Sequence, residues 1–199
     1  MIASEEDSAL VRETFAERRR LVELLSGLTP QQWAAASLCE GWRVREVVAH
    51  ITLAYRHSGP RVLAGIAAAG FRFNVFSDRI ARSDCDRNSD VVLLNSLRDN
   101  VEHPWRPPGG GQRGALAHDV IHGLDITEAL GLSPAPAERI AMAMKDAGRK
   151  QLKYFGVDLR GRSLTATDAD LVIGTGQPMP LPAKDITLIV TGRREVPAD

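Results

Sequence analysis

Three features that would narrow the function at once are scarce in this 199-residue chain: an excess of one charge, cysteine, and long apolar runs. Lysine plus arginine and aspartate plus glutamate each total 25, so neither nucleic acid nor a membrane surface is an expected partner. No apolar run approaches the roughly 18 residues that span a bilayer. The first residues, "MIASEEDSAL", lack the order of a signal peptide. We therefore expect a cytoplasmic protein.

The two cysteines, Cys39 and Cys85, are too few for a disulfide scaffold and do not form a close pair of zinc ligands. We expect both to be reduced thiols. Cys39 lies beside a predicted helix start, where the pKa of a thiol can fall, so a reactive role is the alternative for that residue.

Apolar residues recur at helical spacing over most of the first 155 positions. The pattern predicts helices over 8–27, 42–57, 60–82 with an interruption at its glycines, "SDVVLLNSLRDNV", about 113–130, and 135–156. A short helical piece is also expected after the cap Thr29. These elements predict a mainly α fold.

Beyond Gly156 the sequence changes to short β-branched runs separated by turn residues. This part is too short to fold alone. We therefore predict two units, a helical bundle over 1–155 and a small C-terminal α+β region over 156–199 packed on it. The sequence leaves a monomer and a homodimer equally open.

The segment "HDVIH" places His118 and His122 four residues apart in one of these helices. Five histidines in the chain make such a spacing weak evidence by itself. The directions in which the side chains leave the helix strengthen this evidence, because His118, His122 and Asp125 share a stripe about 60° wide beside the apolar face. Two imidazoles one turn apart can reach one metal ion.

A third ligand is available on the second predicted helix, where His50 lies at the margin of the apolar face. Three neutral imidazoles would hold Zn²⁺ and leave a fourth position open, which is typical of catalytic sites. Asp125 could accept the free N–H of a ligand imidazole or act near the open position. The alternative is a core-edge His50 and a semi-exposed histidine pair. His57 and His103 are expected at the surface or in loops.

The stretch "SLCEGWRVREVVAHI" resembles the segment C-x-G-W-x-V-x-D/E-V-x-x-H of the mycothiol-dependent maleylpyruvate isomerase family, a branch of the DinB-like four-helix metal enzymes. "LAHDVIHGLDITEALG" resembles the second metal segment of that family, and "LTATDADLVIGTGQPMPLPAKDITLIVTGR" resembles its C-terminal region. The resemblance implies a DinB-like up-down four-helix bundle with a small α+β appendage. It also implies that His50, His118 and His122 are metal ligands.

The resemblance further implies a divalent metal, zinc or as second choice nickel, and mycothiol or a similar small thiol that attacks an electrophilic substrate. One departure matters, because the isomerases carry a glutamate where this chain has His118. A site of three histidines would hold one negative charge less. Anionic groups of the substrate or cofactor would need arginines nearby, and we expect Arg193, with Arg82 as the weaker candidate, against the alternative of solvated surface arginines.

The sequence thus predicts a zinc-dependent, thiol-dependent isomerase or transferase, with Asp125 and Arg193 as catalytic residues and Arg82 and Arg193 as cofactor-binding residues. Two hypotheses compete with it. One is a non-catalytic bundle that binds a metal or a small molecule. The other is an interaction protein that needs no metal.

Overall fold

The computed structural model describes residues 4–197, which form a mainly helical protein with a small C-terminal sheet. The predicted fold class is confirmed. The helices are α1 (Glu5–Ser26), α2 (Pro30–Trp33), α3 (Val44–Ile51), α4 (Leu53–Arg56), α5 (Gly59–Ala68), α6 (Phe73–Arg87), α7 (Asp90–Arg98), α8 (Gly111–Leu130), α9 (Ala137–Met144), α10 (Arg149–Phe155) and α11 (Ala183–Val190), and the strands are β1 (Arg162–Ala166), β2 (Val172–Gly174) and β3 (Gln177–Leu181).

Several helix starts follow from their capping residues. The Ser4 hydroxyl accepts from the N–H of Asp7 at the start of α1. Thr29 forms a reciprocal capping box with Gln32 and precedes Pro30, which has no N–H to leave unpaired. Ser89 caps α7, as the sequence predicts. These side chains satisfy N–H groups that have no partner within the helix.

The predicted helix over 42–57 is broken into α3 and α4, so the prediction of one continuous helix is wrong. The hydroxyl of Thr52 donates to the carbonyl of Val48, and the guanidinium of Arg56 donates to the carbonyl of Ala49 at 2.6 Å. Side chains that bond to helix carbonyls in this way compete with the backbone ladder. The break at Thr52 is the result, and it ends α3 one residue after His50.

The expected interruption within 60–82 is present between α5 and α6. It falls at Gly70, which has a φ of +66°, a conformation that glycine adopts without strain. Gly65 does not break the helix. A Cβ at Gly65 would lie 2.4 Å from the ring of Phe76, so glycine lets α5 approach α6 closely.

The predicted helix over 135–156 is also two helices, α9 and α10, separated at Gly148. Gly148 has an extended backbone, and Arg113 from α8 binds the carbonyl of Met142 and the carboxylate of Asp146 at the end of α9. The guanidinium satisfies a terminal helix carbonyl that a continuous helix would have paired internally. Helical periodicity alone could not reveal this contact.

The bundle is formed by α1, α3, α7 and α8, with α6 packed on α3. The buried apolar residues form two clusters. One lies between α1, α3, α6 and α7 and includes Leu21, Val47 and Leu97. The other joins α8 and α9 to the C-terminal region. Because α3 and α8 contact each other, residues on their facing sides meet inside the bundle.

The C-terminal sheet has the strand order β2-β1-β3, with β1 antiparallel to β2 and parallel to β3. Its turn into β3 needs Gly176, because a Cβ there would lie 1.9 Å from the carbonyl oxygen of Gly161. Helix α11 packs against β1, α8, α9 and α10. Buried residues Leu164 and Ile186 share one core with Leu124 of α8. Within residues 4–197, no helix has both the length and the apolar character needed to cross a membrane.

Candidate metal centre

Three histidines meet where α3 packs on α8. His50 lies in the last turn of α3, and His118 and His122 lie one turn apart in α8. One ring nitrogen from each lies within 4.8 Å of the others. The Nε2 atoms of His50 and His118 are 3.3 Å apart. Two ligands of one tetrahedral Zn²⁺ at 2.0–2.1 Å are separated by about 3.3 Å, so this spacing fits a shared ion.

The other nitrogen of each ring has its own partner within the protein. The Nδ1 atom of His118 lies 2.9 Å from Oδ1 of Asp119. The Nδ1 atom of His122 lies 2.9 Å from Oδ2 of Asp125, the residue that the sequence placed on the same stripe. Metal-bound imidazoles are commonly oriented in this way, by a carboxylate that accepts the N–H of the nitrogen that does not bind the metal.

His50 is held in a different way. Its Nδ1 atom lies 2.9 Å from the hydroxyl of Ser77 on α6, which packs directly on α3. Ser77 is buried, so this pair is shielded from water. A hydroxyl brings no charge, and His50 is therefore the one imidazole of the three whose partner is neutral.

The tautomers of His118 and His122 follow from their partners. Burial would raise the pKa of Asp125, but hydrogen bonds from Arg193 and His122 lower it to about 2. An ionised carboxylate can only accept, so His122 carries its proton on Nδ1 and presents a lone pair at Nε2. Burial would likewise raise the pKa of Asp119, but His118 and Arg18 lower it. The same reasoning leaves a lone pair at Nε2 of His118.

Two of the three imidazoles, His50 and His122, are also held in the uncharged form that binds metal. Burial and the two neighbouring histidines lower the pKa of His50 well below its usual value. Burial lowers the pKa of His122 as well, although the hydrogen bond with Asp125 opposes it. Both rings are therefore neutral at pH 7. Imidazole nitrogens that lie close together, with lone pairs at Nε2 of His118 and His122, form a donor set that a cation would bind.

Each carboxylate behind the cluster is paired with an arginine. Arg193 donates to both oxygens of Asp125, from Nε at 2.7 Å and from Nη2 at 2.9 Å. The Asp125 side chain is 0% exposed. Since both oxygens are occupied by Arg193 and His122, the geometry fits Asp125 as an acceptor that orients His122. Arg193 also donates to the carbonyl of Thr191.

The second pair is Arg18 and Asp119, which are both fully buried. Arg18 lies on α1 and donates from Nε to Oδ2 of Asp119 at 2.7 Å. The two carboxylates are thus compensated by two guanidinium groups. The ion pairs that support the cluster therefore carry no net charge.

Two indole rings lie against the cluster. The ring centroid of Trp42 is 5.2 Å from that of His50, and the ring centroid of Trp105 is 5.1 Å from that of His118. The side chains of His118 and His122 remain 13% and 14% exposed. Among the described residues, no further histidine, cysteine, aspartate or glutamate belongs to the cluster.

Arg82, which the sequence suggests as the weaker cofactor-binding arginine, does not bind the three imidazoles directly. Arg82 donates to Asp78 and to the carbonyl of Gly41, and its side chain is half exposed. It contacts the centre only indirectly, since Asp78 accepts from Trp42, whose ring packs on His50.

Both cysteines are free thiols, as predicted. Burial and the nearby Asp125 raise the pKa of Cys39 to about 11, so at neutral pH it is a poor nucleophile and the reactive alternative is not favoured. His57 was expected at the surface or in a loop, and it lies in the connection that follows α4. Its side chain is nevertheless only 10% exposed, because it binds the buried Asp84.

Sequence reasoning missed four residues that support the centre: Ser77, Asp119, Arg18 and Trp105. Asp119 follows His118 directly, but this adjacency carries no helical signal. Arg18 lies within the run "ERRR", which has the composition of a solvated helix face. Ser77 and Trp105 reach the histidines only through packing, so no local pattern could have identified them.

The fold and the cluster together define a helical bundle with a histidine centre built from facing helices, which is where bundle proteins hold metals and cofactors. Residues 14–103 match the family model described as the mycothiol maleylpyruvate isomerase N-terminal domain. The match confirms the family resemblance that the sequence predicts. It includes His50 and ends before α8, which carries His118 and His122. Comparisons with curated proteins and with solved structures gave no match.

We expect Ser77→Ala to weaken metal binding by about tenfold, because His50 loses the partner that fixes its ring. The loss is measurable as the dissociation constant for Zn²⁺ or Co²⁺ by competition with a chelating dye. Ser26→Ala is a suitable control, since the Ser26 hydroxyl is exposed and binds the carbonyl of Val22. Equal affinities for the two variants would show that Ser77 does not orient His50.

Proposed function

We propose that the protein is a cytoplasmic, zinc-dependent enzyme that uses a small thiol of the mycothiol type. It would either isomerise a small electrophilic substrate or transfer the thiol to it. The proposal rests on the family match over residues 14–103 and on the three imidazoles. The observation that carries it is the pairing of each Nδ1 atom with a protein group, which leaves the Nε2 side of each ring for a shared ion.

A bound divalent ion would supply the positive charge that favours a thiolate over a thiol. His50, His118 and His122 would hold it, and their neutrality would leave its charge undiminished. The high pKa of Cys39 supports the use of an external thiol, because that cysteine is protonated at neutral pH. The chain would orient the reactants through Asp125, Arg193 and Arg82.

Asp125 and Arg193 would form the polar wall beside His122. Nε and Nη2 of Arg193 each bind Asp125, and the guanidinium carbon lies 5.8 Å from the ring centroid of Phe155. The N–H groups of Nη1 and Nη2 outnumber the hydrogen bonds that these atoms make, so Arg193 keeps donor capacity for an anionic group. We infer that Arg193 binds an anionic group of the substrate or thiol, while Asp125 holds the His122 ring in one orientation. Arg82 would act at longer range.

The proposal is tested first on protein that carries no histidine tag. Elemental analysis is expected to find about one zinc or nickel ion per chain. Incubation with mycothiol and either maleylpyruvate or a generic aryl chloride should then show isomerisation or loss of free thiol, and a chelator should abolish both. Turnover that persists without metal would contradict the zinc-dependent mechanism.

The outcomes also separate the competing functions. A stoichiometric metal without any thiol-dependent turnover would indicate a non-catalytic metal-binding bundle. A chain with no metal, and no gain in stability when zinc is added, would be a metal-independent protein. Binding of metal to the folded state should otherwise raise the melting temperature as the zinc concentration increases.

A further inference from the structure

Arg18 occupies an unusual place for a residue outside the histidine cluster. Its side chain is 0% exposed, although it belongs to a run of three arginines. Phe15 and Tyr55 lie beside it, with ring centroids 6.0 Å and 5.6 Å from the guanidinium carbon. Burying an arginine is costly unless its donors are used, so its contacts should indicate what it does.

The contacts of Arg18 connect it both to Asp119 and to the loop before α8. From Nε, Arg18 donates to Asp119, which accepts from His118 through its other oxygen. From Nη1, Arg18 donates to the carbonyls of Val101 and His103, at 3.2 Å and 2.7 Å. These two carbonyls belong to the loop that leads from α7 to α8.

The same loop returns to the cluster through Trp105. The backbone N–H of Trp105 donates to Nδ1 of His103 at 3.1 Å, and the Trp105 ring lies against His118. A closed circuit of contacts therefore runs from Arg18 through Asp119 to His118, and from Arg18 through the loop and Trp105 back to His118. One guanidinium is thus bonded both to the carboxylate that pairs with His118 and to the loop that carries the Trp105 indole.

We propose that Arg18 is a positioning residue for His118, holding Asp119 behind the imidazole and the Trp105 loop against it. This inference rests on the proposed function only where it concerns metal affinity. The arrangement of the His118 and Trp105 rings is a property of the chain alone. Arg18 touches neither ring directly and acts through groups that do.

The first test uses the metal-free protein. In the wild type, nuclear Overhauser effects between the ring protons of Trp105 and His118 are expected, because the ring centroids are 5.1 Å apart. Arg18→Lys should lose most of this signal, since one ammonium group cannot match the planar fork that spans Asp119 and both carbonyls. Arg18→Met should lose it entirely where the variant folds.

The second test measures Zn²⁺ and Co²⁺ affinity. We expect the dissociation constant to rise about tenfold in Arg18→Lys and more in Arg18→Met, as for the loss of other outer supports of a metal ligand. The Co²⁺ absorption bands should change as well, because His118 is no longer held in one orientation.

Arg139→Met is the matched control. Arg139 is also largely buried and binds α1, but its partners are Glu13 and Glu17, which lie outside the set of contacts around His118. It should lower stability while leaving the ring contact and the metal affinity within twofold of wild type. The proposal is overturned if folded Arg18→Lys behaves like Arg139→Met in both tests. A wild type that binds no metal would refute the proposed function, and the ring contact would still decide the role of Arg18.

Discussion

Replacing His122 by alanine is expected to abolish metal binding at physiological concentrations and with it all thiol-dependent turnover. The Nε2 side of His122 faces the shared position, and its Nδ1 atom is tied to Asp125. Binding of structural zinc by four ligands is worth about 10–16 kcal/mol, so one ligand corresponds to about 2.5–4 kcal/mol, or roughly 100- to 1000-fold in affinity. His50→Ala and His118→Ala should behave alike. The measurements are metal content per chain and single-turnover thiol loss.

The helical signal in circular dichroism should survive in these variants, because the two apolar clusters that hold the helices together keep all their side chains. His57→Ala is the matched control, since His57 binds Asp84, outside the cluster, and Arg56 remains as a partner for that carboxylate. If His122→Ala retains metal and activity at the level of His57→Ala, the three-histidine centre is refuted.

His118→Glu tests whether the site needs a histidine at position 118 or only a metal-binding side chain. Glutamate is also a zinc ligand, and the isomerases that this chain resembles carry it at this position. We expect the variant to recover much of the metal affinity that His118→Ala loses. The added negative charge should reduce the preference for a bound thiolate.

Arg193→Met is expected to lower the stability of the fold substantially. Asp125 is 0% exposed and both of its oxygens accept from Arg193, so the substitution leaves a buried carboxylate without its counterion. Breaking a buried ion pair from one side costs about 3–5 kcal/mol. For a chain of this size the melting temperature should fall by roughly 10 °C. Thermal unfolding measured in the absence of metal would isolate this effect.

The same variant should also weaken metal binding by about tenfold, since Asp125 would no longer hold His122 in one orientation. Arg194→Met provides the control from the neighbouring position. Arg194 pairs with Asp185 at the surface and its side chain is 45% exposed, so its loss should cost less than about 1 kcal/mol. Similar losses of stability in the two variants would show that the Arg193 pair is not the buried support described above.

Much of the architecture follows from local sequence patterns. The apolar period predicts α1, α7 and α8 to within a few residues, and the capping residues Ser89 and Thr29 mark the starts of α7 and α2. Helical geometry also places His118, His122 and Asp125 on one stripe, and the structure brings the last two into contact. These features depend on neighbours within one or two turns.

The breaks within two predicted helices depend on longer-range groups. Arg113 reaches the end of α9 from α8, and Arg56 reaches back over seven residues to a carbonyl of α3. Neither side chain alters the apolar period of the helix that it interrupts. The sequence therefore predicts a longer continuous helix in both places.

Helical spacing was enough to identify His118 and His122 as candidate ligands with Asp125 beside them, because side chains one turn apart on a helix point the same way. The partners of the other two rings depend on packing between helices: Ser77 comes from α6, and Asp119 is paired with an arginine from α1 that is 101 residues away in the chain. Arg18 has the sequence context of a solvated side chain. It is buried because α1 packs on α8, where Asp119 compensates its charge. That pairing depends on two helices meeting in space, which no local sequence pattern encodes.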